Sequence, residues 1–263
     1  MRFEVRGAQE QGISVEALGE IIKERGHEVT GRQEEAHICL WFEHREEPGY
    51  PIRKEGKEAR IFWNRLPEAF RALGKVLEHG EEEAWSEENQ GVKGHTGFMF
   101  DCSRNSVLKV EMVKRLIRQT ALMGLEWFLL YTEDTYEVKG YPYFGALRGR
   151  YTEEEIRECD AYAALFGVEM IPCIQTLAHL RTALRWPAME QYRDNMDILL
   201  AEEEKTYELI DAMLAAVSRM YRSRRVHLGM DEAFYLGYGN YRRIHGEVKQ
   251  GELIRRHPGD EDL

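Results

Sequence analysis

The chain has 263 residues, of which 43% are hydrophobic and 32% charged, a composition typical of a globular protein with one large domain or two smaller ones. It carries 36 Lys and Arg against 47 Asp and Glu, and the net charge of −11 argues against nucleic acid as a partner. No run approaches the roughly 18 apolar residues of a membrane span, and residues 1–7 lack the apolar core of a secretory signal. We therefore expect a cytoplasmic protein without membrane association.

The four cysteines stand far apart and form no Cys-x-x-Cys pair, the spacing typical of a metal site. Because no secretory signal is recognised, disulfides are not expected, and each thiol is interpreted as a small buried hydrophobic group. A catalytic thiol is the alternative, although no cysteine stands in a Cys/His pattern. We expect no metal and no cofactor. The cysteines are Cys39, Cys102, Cys159 and Cys173.

Residues 1–92 are predicted to form a small α+β domain, since short apolar runs alternate with stretches of helical periodicity. The predicted strands are residues 3–5, 37–42, 52–54 and 59–63, and the predicted helices are residues 15–25 and 66–77. Val15 belongs to the apolar face of the first helix, and Gly26 stops that helix. The glutamate-rich residues 81–91 are interpreted as an acidic linker that ends the domain near residue 92.

From residue 93 to residue 245 strands and helices alternate regularly, which is typical of a parallel sheet with right-handed crossovers. The predicted strands are residues 97–100, 127–131, 169–174 and 226–230, and the predicted helices are residues 107–123, 152–166 and 202–221. Polar side chains follow each strand, namely Asp101 and Arg104, Glu133 and Asp134, Gln175 and His179, and Asp231 and Glu232. Because the carboxyl ends of parallel strands meet at one edge of a sheet, we expect these loops to form a site.

Asp231 and Glu232 are the strongest candidates for chemistry. They directly follow the alternating apolar run of residues 226–230, which predicts a buried strand. Two adjacent carboxyl groups in a partly buried site do not both ionise easily, so we expect one acid and one anionic partner near neutral pH. The alternative is a helix N-terminus, where acidic side chains offset the positive end of the helix dipole.

Four segments carry a family pattern in chain order: Asp101-x-x-Arg104-Asn105, Tyr131-Thr132-Glu133-Asp134, residues 172–179 ending in His179, and His227-x-Gly229-x-Asp231-Glu232. They resemble the motifs of family 20 glycoside hydrolases, the β-N-acetylhexosaminidases, with Glu133 where Asp is more usual. The last three segments look especially like a bacterial, intracellular subgroup of exo-acting hexosaminidases and glucosaminidases. The resemblance covers about residues 1–245.

The resemblance implies an enzyme that removes terminal β-linked amino sugars and uses its substrate as the nucleophile. The 2-acetamido oxygen of the sugar attacks the anomeric carbon and forms an oxazolinium ion. Glu232 is then the general acid and afterwards the base for water, while Asp231 orients the acetamido N–H and stabilises the positive charge. Arg104 is expected to clamp sugar hydroxyls with its planar fork.

The other site residues implied by the resemblance are Glu133, Asp134, His179 and His227. His179 with Glu133 or Asp134 is expected to form a relay that tunes Glu232, with a hydrogen-bonded loop histidine as the alternative. For His227, support of the strand end and contact with substrate remain equally open. Two roles remain open for Trp186, stacking on a sugar or packing within the protein, and packing is favoured.

The implied fold class is α/β: the first half only of a TIM-type (β/α)₈ barrel, residues 93–245, preceded by the small α+β domain. A complete barrel needs roughly 250 residues, so the chain is interpreted as truncated or as one piece of a split protein. Residues 246–263 are predicted to be a polar tail outside the strand–helix pattern. Since half a barrel leaves sheet edges uncovered, a homodimer or a complementing chain is expected to cover them.

Two functional hypotheses follow. In the first, the protein is a hexosaminidase that acts on amino-sugar glycosides once its barrel is completed. In the second, it is a non-catalytic remnant or a carbohydrate-binding fragment. A metal-dependent hydrolase is poorly supported, since the spacing of the histidines and acidic residues is not that of a zinc helix.

Overall fold

The computed structural model describes residues 1–91 and 94–257. It divides into two compact units that do not follow the chain as two blocks. One unit contains residues 1–98, 110–128 and 159–169, and the other contains residues 99–109, 129–158 and those from Met170 onward. The predicted division into residues 1–92, 93–245 and 246–263 stays a prediction, and the boundary near residue 92 lies outside the described residues.

The N-terminal part of the chain forms a six-stranded sheet with two helices. The strands are β1 (Arg2–Arg6), β2 (Glu28–Val29), β3 (Ile38–His44), β4 (Ile52–Glu55), β5 (Glu58–Trp63) and β6 (Ala84–Glu87), and the helices are α1 (Val15–Glu24) and α2 (Leu66–His79). The strand order is β2-β1-β3-β5-β4-β6. Strands β2, β1, β3 and β5 pair in parallel, whereas β4 is antiparallel to β5 and β6, so the predicted hairpin is confirmed.

Helix α1 shows how local signals set this part of the fold. The Ser14 hydroxyl accepts a hydrogen bond from the Ala17 N–H and caps the helix. Leu18, Ile21 and Ile22 are buried, as their spacing predicts, whereas Val15 on the same face is 41% exposed. Val15 is the first residue of the helix, so it lies at the end of the apolar face.

The segment interpreted as an acidic linker contains strand β6, so that interpretation was wrong in part. Residues Ala84–Glu87 pair antiparallel with β4 and become the edge of the sheet. The backbone groups along that side of β4 would otherwise be unpaired, and satisfying them favours a strand in spite of the surrounding glutamates.

A second sheet contains β7 (Gly97–Asp101), β8 (Trp127–Tyr131) and β9 (Glu169–Cys173) in that order. At the start of β7 and β8, the Glu126 N–H donates to the Thr96 carbonyl. At their other end, the Cys102 N–H donates to the Tyr131 carbonyl, so these two strands run parallel. Helix α3 (Val110–Leu122) lies between β7 and β8 in the chain, and α4 (Glu153–Ala164) lies between β8 and β9. The helices after β9 are α5 (Arg181–Leu184), α6 (Glu204–Met220), α7 (Asn240–His245) and α8 (Gln250–Arg256).

Helix α4 begins at the predicted capping box. The Thr152 hydroxyl accepts from the Glu155 N–H at 3.2 Å, and the Glu155 carboxylate accepts from the Thr152 N–H at 2.9 Å. The strand–helix alternation predicted from residue 93 onward is therefore confirmed for three strands. No helix among the described residues is long and apolar enough to cross a membrane. All four cysteines are buried and free, as predicted.

The predicted fourth strand at residues 226–230 is not a regular strand. His227 forms a single parallel bridge with Cys173, and the neighbouring backbone bonds join it to β9 and to the residues after β9. Gly229 then turns the chain with a φ of +60°, which ends the extended conformation before Asp231. The segment lies beside β9 as predicted, but its backbone leaves the sheet after one bridge.

The described residues after 245, predicted to lie outside the strand–helix pattern, contain helix α8. Helix α8 buries Leu253 in a hydrophobic cluster, and the His257 imidazole donates from Nε2 to the Thr176 carbonyl at 2.8 Å. The buried members of that cluster are Leu177, Ala178, Ile198, Leu200, Ala201, Ala233, Leu236, Tyr241 and Leu253. Residues 258–263 lie outside the described part.

The buried carboxyl group of Asp194 anchors the chain that follows Glu232. It accepts hydrogen bonds from the N–H groups of Gly237 at 2.8 Å, Gly239 at 3.2 Å and Tyr241 at 2.8 Å. In Asp194→Asn, one acceptor oxygen becomes an N–H donor and leaves at least one buried backbone donor unpaired. We expect a loss of about 2 kcal/mol in the free energy of unfolding, measured by urea denaturation.

Asp211→Asn is the matched control, since Asp211 is an exposed aspartate on α6. Its midpoint of unfolding should stay within error of the unmodified protein. Equal stability losses in the two variants would mean that Asp194 does not anchor residues 237–241.

Candidate active site

The loop after β7 presents Arg104. Asp101, the last residue of the strand, accepts from the Ser103 N–H at 2.8 Å, the Ser103 hydroxyl at 2.6 Å and the Arg104 N–H at 3.2 Å. Its second oxygen lies 3.3 Å from the guanidinium of Arg104. Such a turn, held by the aspartate side chain, fixes the direction in which Arg104 leaves the strand end.

The end of β8 lies against this arginine. The Arg104 guanidinium donates to the Tyr131 hydroxyl at 3.4 Å and lies 5.2 Å from the centre of the Tyr131 ring. The Tyr131 hydroxyl donates to the Glu133 carboxylate at 3.2 Å, and Arg104 Nε is 3.7 Å from the same carboxylate oxygen. Arg104 and Glu133, predicted separately from two strand ends, are therefore brought together.

Gln175 joins this group to the acidic pair. Its side-chain amide donates to the Tyr131 hydroxyl at 2.9 Å and to the Asp231 carboxylate at 3.1 Å. Tyr131 belongs to one of the four motifs and Gln175 to a polar segment that follows a strand, but neither of them was assigned a role in the site from the sequence. The sequence signal was weak, because a tyrosine that ends an apolar strand and a glutamine that follows one are ordinary features.

His179 lies between the two adjacent carboxylates. Its Nε2 is 3.5 Å from an oxygen of Asp231 and 3.5 Å from an oxygen of Glu232. The imidazole side chain is only 14% exposed, whereas each carboxylate is 59% exposed. The predicted relay placed His179 beside Glu133 or Asp134; the contacts found are with Asp231 and Glu232.

Backbone strain is concentrated at the same place. Five non-glycine residues in the described part have positive φ, and three of them are Glu133 at 41°, His179 at 58° and Glu232 at 53°. The left-handed region costs an L-residue on the order of 1–2 kcal/mol. Such strain persists where the surrounding structure over-determines a conformation, which is typical of functional sites.

Asp231 is held in its ionised form. Burial raises the pKa of Asp231, but the hydrogen bonds from Gln175 and from the Asp231 backbone, together with the electrostatic influence of His179 and His227, outweigh it, so the pKa lies below its ordinary value. The stabilisation from this carboxylate is present at neutral pH and is lost only as the pH falls through that lowered pKa. The two carboxylates are more exposed than the predicted partly buried site, at 59% for each side chain, and the division into one acid and one anionic partner stays a prediction.

Glu133 has the opposite tendency. Burial raises the pKa of Glu133 above its usual range, and the hydrogen bond from Tyr131 and the charge of Arg104 offset that rise only in part. A carboxyl group of this kind destabilises the folded protein progressively as the pH rises from its unfolded pKa to its folded pKa.

Tyr131→Phe tests this balance. The substitution removes a hydrogen bond to the ionised carboxylate while keeping the ring beside Arg104, so the pKa of Glu133 should rise further. A carbon-13 NMR titration of the Glu133 carboxyl group measures the change. Tyr207→Phe is the control, because the Tyr207 hydroxyl contacts the Glu202 N–H instead; a fall in the Glu133 pKa in Tyr131→Phe would contradict the assignment.

Two predicted residues do not join this group. Asp134 is 1% exposed and lies against Arg148, whose Nε is 3.3 Å from its carboxyl group. His227 is exposed and bridges β9 through its backbone, and it acts electrostatically on Asp231, so support of the strand end and contact with substrate both stay open. Trp186 packs on Tyr143 at 5.6 Å and under the guanidinium of Arg185.

The described residues contain no group of three or more histidine, cysteine, aspartate or glutamate side chains arranged to hold a metal ion. What the site does contain is a charged arginine, an anionic aspartate, an exposed glutamate and a histidine between the last two. This arrangement can bind hydroxyl groups, stabilise positive charge and transfer a proton.

Solved structures define the class of this fold. An exo β-N-acetylglucosaminidase from Vibrio harveyi, in complex with N-acetylglucosamine, is similar over 98% of this chain and 49% of its own, with a TM-score of 0.77 and 19% identity. A β-N-acetylhexosaminidase from Bacteroides fragilis is similar over 89% of this chain and 53% of its own, with a TM-score of 0.66 and 24% identity. The chain thus has the fold of a partial TIM-type barrel with its preceding α+β domain.

The family follows from the sequence match. The catalytic-domain model of glycosyl hydrolase family 20 matches residues 94–258, and the chain belongs to that family. The predicted end of the resemblance near residue 245 was therefore too early.

Curated relatives agree. A β-hexosaminidase from Vibrio furnissii is 30% identical over 52% of this chain and 28% of its own length, and human hexosaminidase D is 29% identical over 51% and 29%. The chain spans about half the length of the solved structures and about a third or less of these curated relatives. The predicted bacterial, cytoplasmic setting stays a prediction.

Proposed function

We propose that this protein hydrolyses terminal β-linked N-acetylhexosamine from amino-sugar glycosides with the help of the substrate's own acetamido group. The observation that carries the proposal is the position of His179, within 3.5 Å of both Asp231 and Glu232. Membership of glycosyl hydrolase family 20 supports it, as do the similar proteins described as β-hexosaminidases and as an exo β-N-acetylglucosaminidase.

In the proposed reaction the acetamido oxygen attacks the anomeric carbon while Glu232 donates a proton to the leaving oxygen. Asp231 is ionised, so it accepts the acetamido N–H and stabilises the oxazolinium ion that forms. Water then attacks the anomeric carbon, Glu232 takes its proton, and the acetamido group is restored. His179 contacts both carboxylates and orients them for their separate roles.

Arg104 supplies the sugar clamp in this proposal. The Arg104 side chain is 55% exposed although Asp101 and Tyr131 fix its direction, so its planar guanidinium can bind sugar hydroxyls from the exposed side. Glu133 lies beside it and accepts from the same sugar face. Asp134 takes no part in sugar binding in this proposal, because it is buried against Arg148.

The test is hydrolysis of a chromogenic N-acetyl-β-glucosaminide by the purified protein. The matched substrate is the same glycoside with a free amine, which has no acetamido oxygen and should not be cleaved. Equal rates on the two would contradict substrate assistance. Activity that survives a chelator would exclude a dependence on exchangeable metal.

A carbohydrate-binding protein without turnover is the alternative outcome of this test. Binding of N-acetylglucosamine by calorimetry without hydrolysis would support it. We further propose that a second copy or a complementing chain covers the open side of the β7–β9 sheet. Light scattering across a concentration series should then show association, and activity should rise with it.

A further inference from the structure

Arg148 reaches two neighbouring loops from the segment between β8 and α4. Its Nε lies 3.3 Å from an oxygen of Asp134, and its terminal nitrogen donates to the backbone carbonyl of Ser103. The Arg148 side chain is 21% exposed, and Ser103 and Asp134 are 3% and 1% exposed. The guanidinium therefore bridges the end of β7 and the end of β8 in a mostly buried place.

Each partner of Arg148 is next in sequence to a residue of the proposed sugar clamp. Ser103 precedes Arg104, and its N–H and hydroxyl hold Asp101, which in turn holds Arg104. Asp134 directly follows Glu133. Movement of either partner is therefore transmitted through one peptide unit to a side chain that faces the sugar.

The bridge is energetically expensive, which argues that it does more than fill space. Burial raises the pKa of Asp134, and the charge of Arg148 is the largest of the influences that oppose this rise, so Arg148 stabilises the ionised form of a buried carboxyl group. The preceding residue, Leu147, has a φ of +61° although its side chain is 89% exposed. Leu147 gains no burial from this strained conformation, but the conformation is explained if it directs the Arg148 side chain inward.

We propose that Arg148 is a positioning residue that holds the loops carrying Arg104 and Glu133 at a fixed separation, so that both meet the non-reducing sugar in one arrangement. This inference rests on the proposed function for its consequence. Its structural part, the immobilisation of the two loops, holds without any sugar.

Arg148→Met removes both contacts and keeps most of the side-chain volume. Arg150→Met is the matched control, because Arg150 belongs to the same loop and its polar side-chain contacts in the described part are with Glu137 and the carbonyls of Pro142 and Phe144. On the chromogenic N-acetyl-β-glucosaminide, Arg148→Met should raise KM on the order of tenfold with a smaller fall in kcat, and Arg150→Met should change neither beyond twofold. Equal kinetics in the two variants would overturn the proposal.

A loss of fold stability is separated from a loss of positioning by a second variant. Arg148→Met leaves the buried Asp134 carboxyl group without the cation beside it, whereas Asp134→Asn combined with Arg148→Met removes that carboxyl group and should recover much of the stability. The double variant still lacks the bond to Ser103, so its KM should stay raised. A double variant with normal stability and normal KM would show that Arg148 only neutralises Asp134.

Hydrogen exchange without sugar decides the inference independently of catalysis. Arg148→Met and the double variant should both speed exchange at the Ser103 and Arg104 amides, which bind Asp101, while Arg150→Met should not. If the unmodified protein neither binds nor hydrolyses the glycoside, the proposed function fails, yet faster exchange at those amides still supports the bridge. Unchanged exchange there overturns it even if the unmodified enzyme is active.

Discussion

Glu232→Gln should lower hydrolysis of a chromogenic N-acetyl-β-glucosaminide by at least about a hundredfold, because general acid–base groups contribute on that order or more. The amide keeps the size and the hydrogen-bonding shape of the side chain but cannot donate a proton to the leaving oxygen. Steady-state kinetics should show the loss in kcat, with KM changed far less, since sugar binding is assigned to Arg104 and Asp231.

The control for this variant is Glu190→Gln. Glu190 is a similarly exposed glutamate, at 69% against 59% for the Glu232 side chain, and it contacts Arg193 in a short helix. It should hydrolyse the substrate at the rate of the unmodified protein. An active Glu232→Gln variant would assign the acid to another group, and the contact of His179 with both carboxylates would then need a different explanation.

Gly229→Ala should be the most destabilising of the small substitutions in the site. A Cβ at Gly229 would lie 2.2 Å from the Ile174 carbonyl oxygen and 2.6 Å from the Gln175 side-chain carbon, and its φ is +60°. The left-handed conformation and the overpacking together cost roughly 3 kcal/mol. For a chain of this size that lowers the midpoint of thermal unfolding by roughly 10 °C.

The same substitution should also reduce catalysis in whatever fraction stays folded. Gln175 must move to accommodate the new methyl group, and it is the donor that keeps the pKa of Asp231 below its ordinary value. Calorimetry and kinetics on one preparation measure both effects.

Gly149→Ala separates the two causes. Gly149 has a φ of +65°, close to that of Gly229, but its Cβ would meet no atom within 4 Å. Gly149→Ala should lower the free energy of unfolding only by the cost of the left-handed backbone conformation, about 1 kcal/mol. If both variants unfold at the same temperature, the contact with Ile174 is not the reason that a glycine stands at position 229.

The strands that build the site were predictable because each is a short apolar run next to a local stop signal. Residues 97–100, 127–131 and 169–174 were predicted within one residue of β7, β8 and β9. Helix α4 began at its capping box for the same reason, since Thr152 and Glu155 satisfy each other within one turn. Signals of this kind involve neighbours in the chain.

Elements stabilised by distant partners were missed. Strand β6 exists because β4 offers it an edge, and α8 exists because Leu253 reaches a cluster that contains Leu177. Neither segment has enough apolar residues to predict burial. The fourth strand was predicted where the structure has no regular strand. Its apolar alternation is present, but Gly229 turns the backbone away after a single bridge.

The sequence by itself determined which loops carry charged groups and, through four motifs in order, the family to which the chain belongs. Only the tertiary structure decided that Glu133 turns towards Arg104 while its neighbour Asp134 turns towards Arg148, and that Gln175 joins Tyr131 to Asp231. The physical reason is that periodicity records whether a position is buried, whereas the partner of a polar side chain depends on residues far away in the chain that folding brings within hydrogen-bond distance.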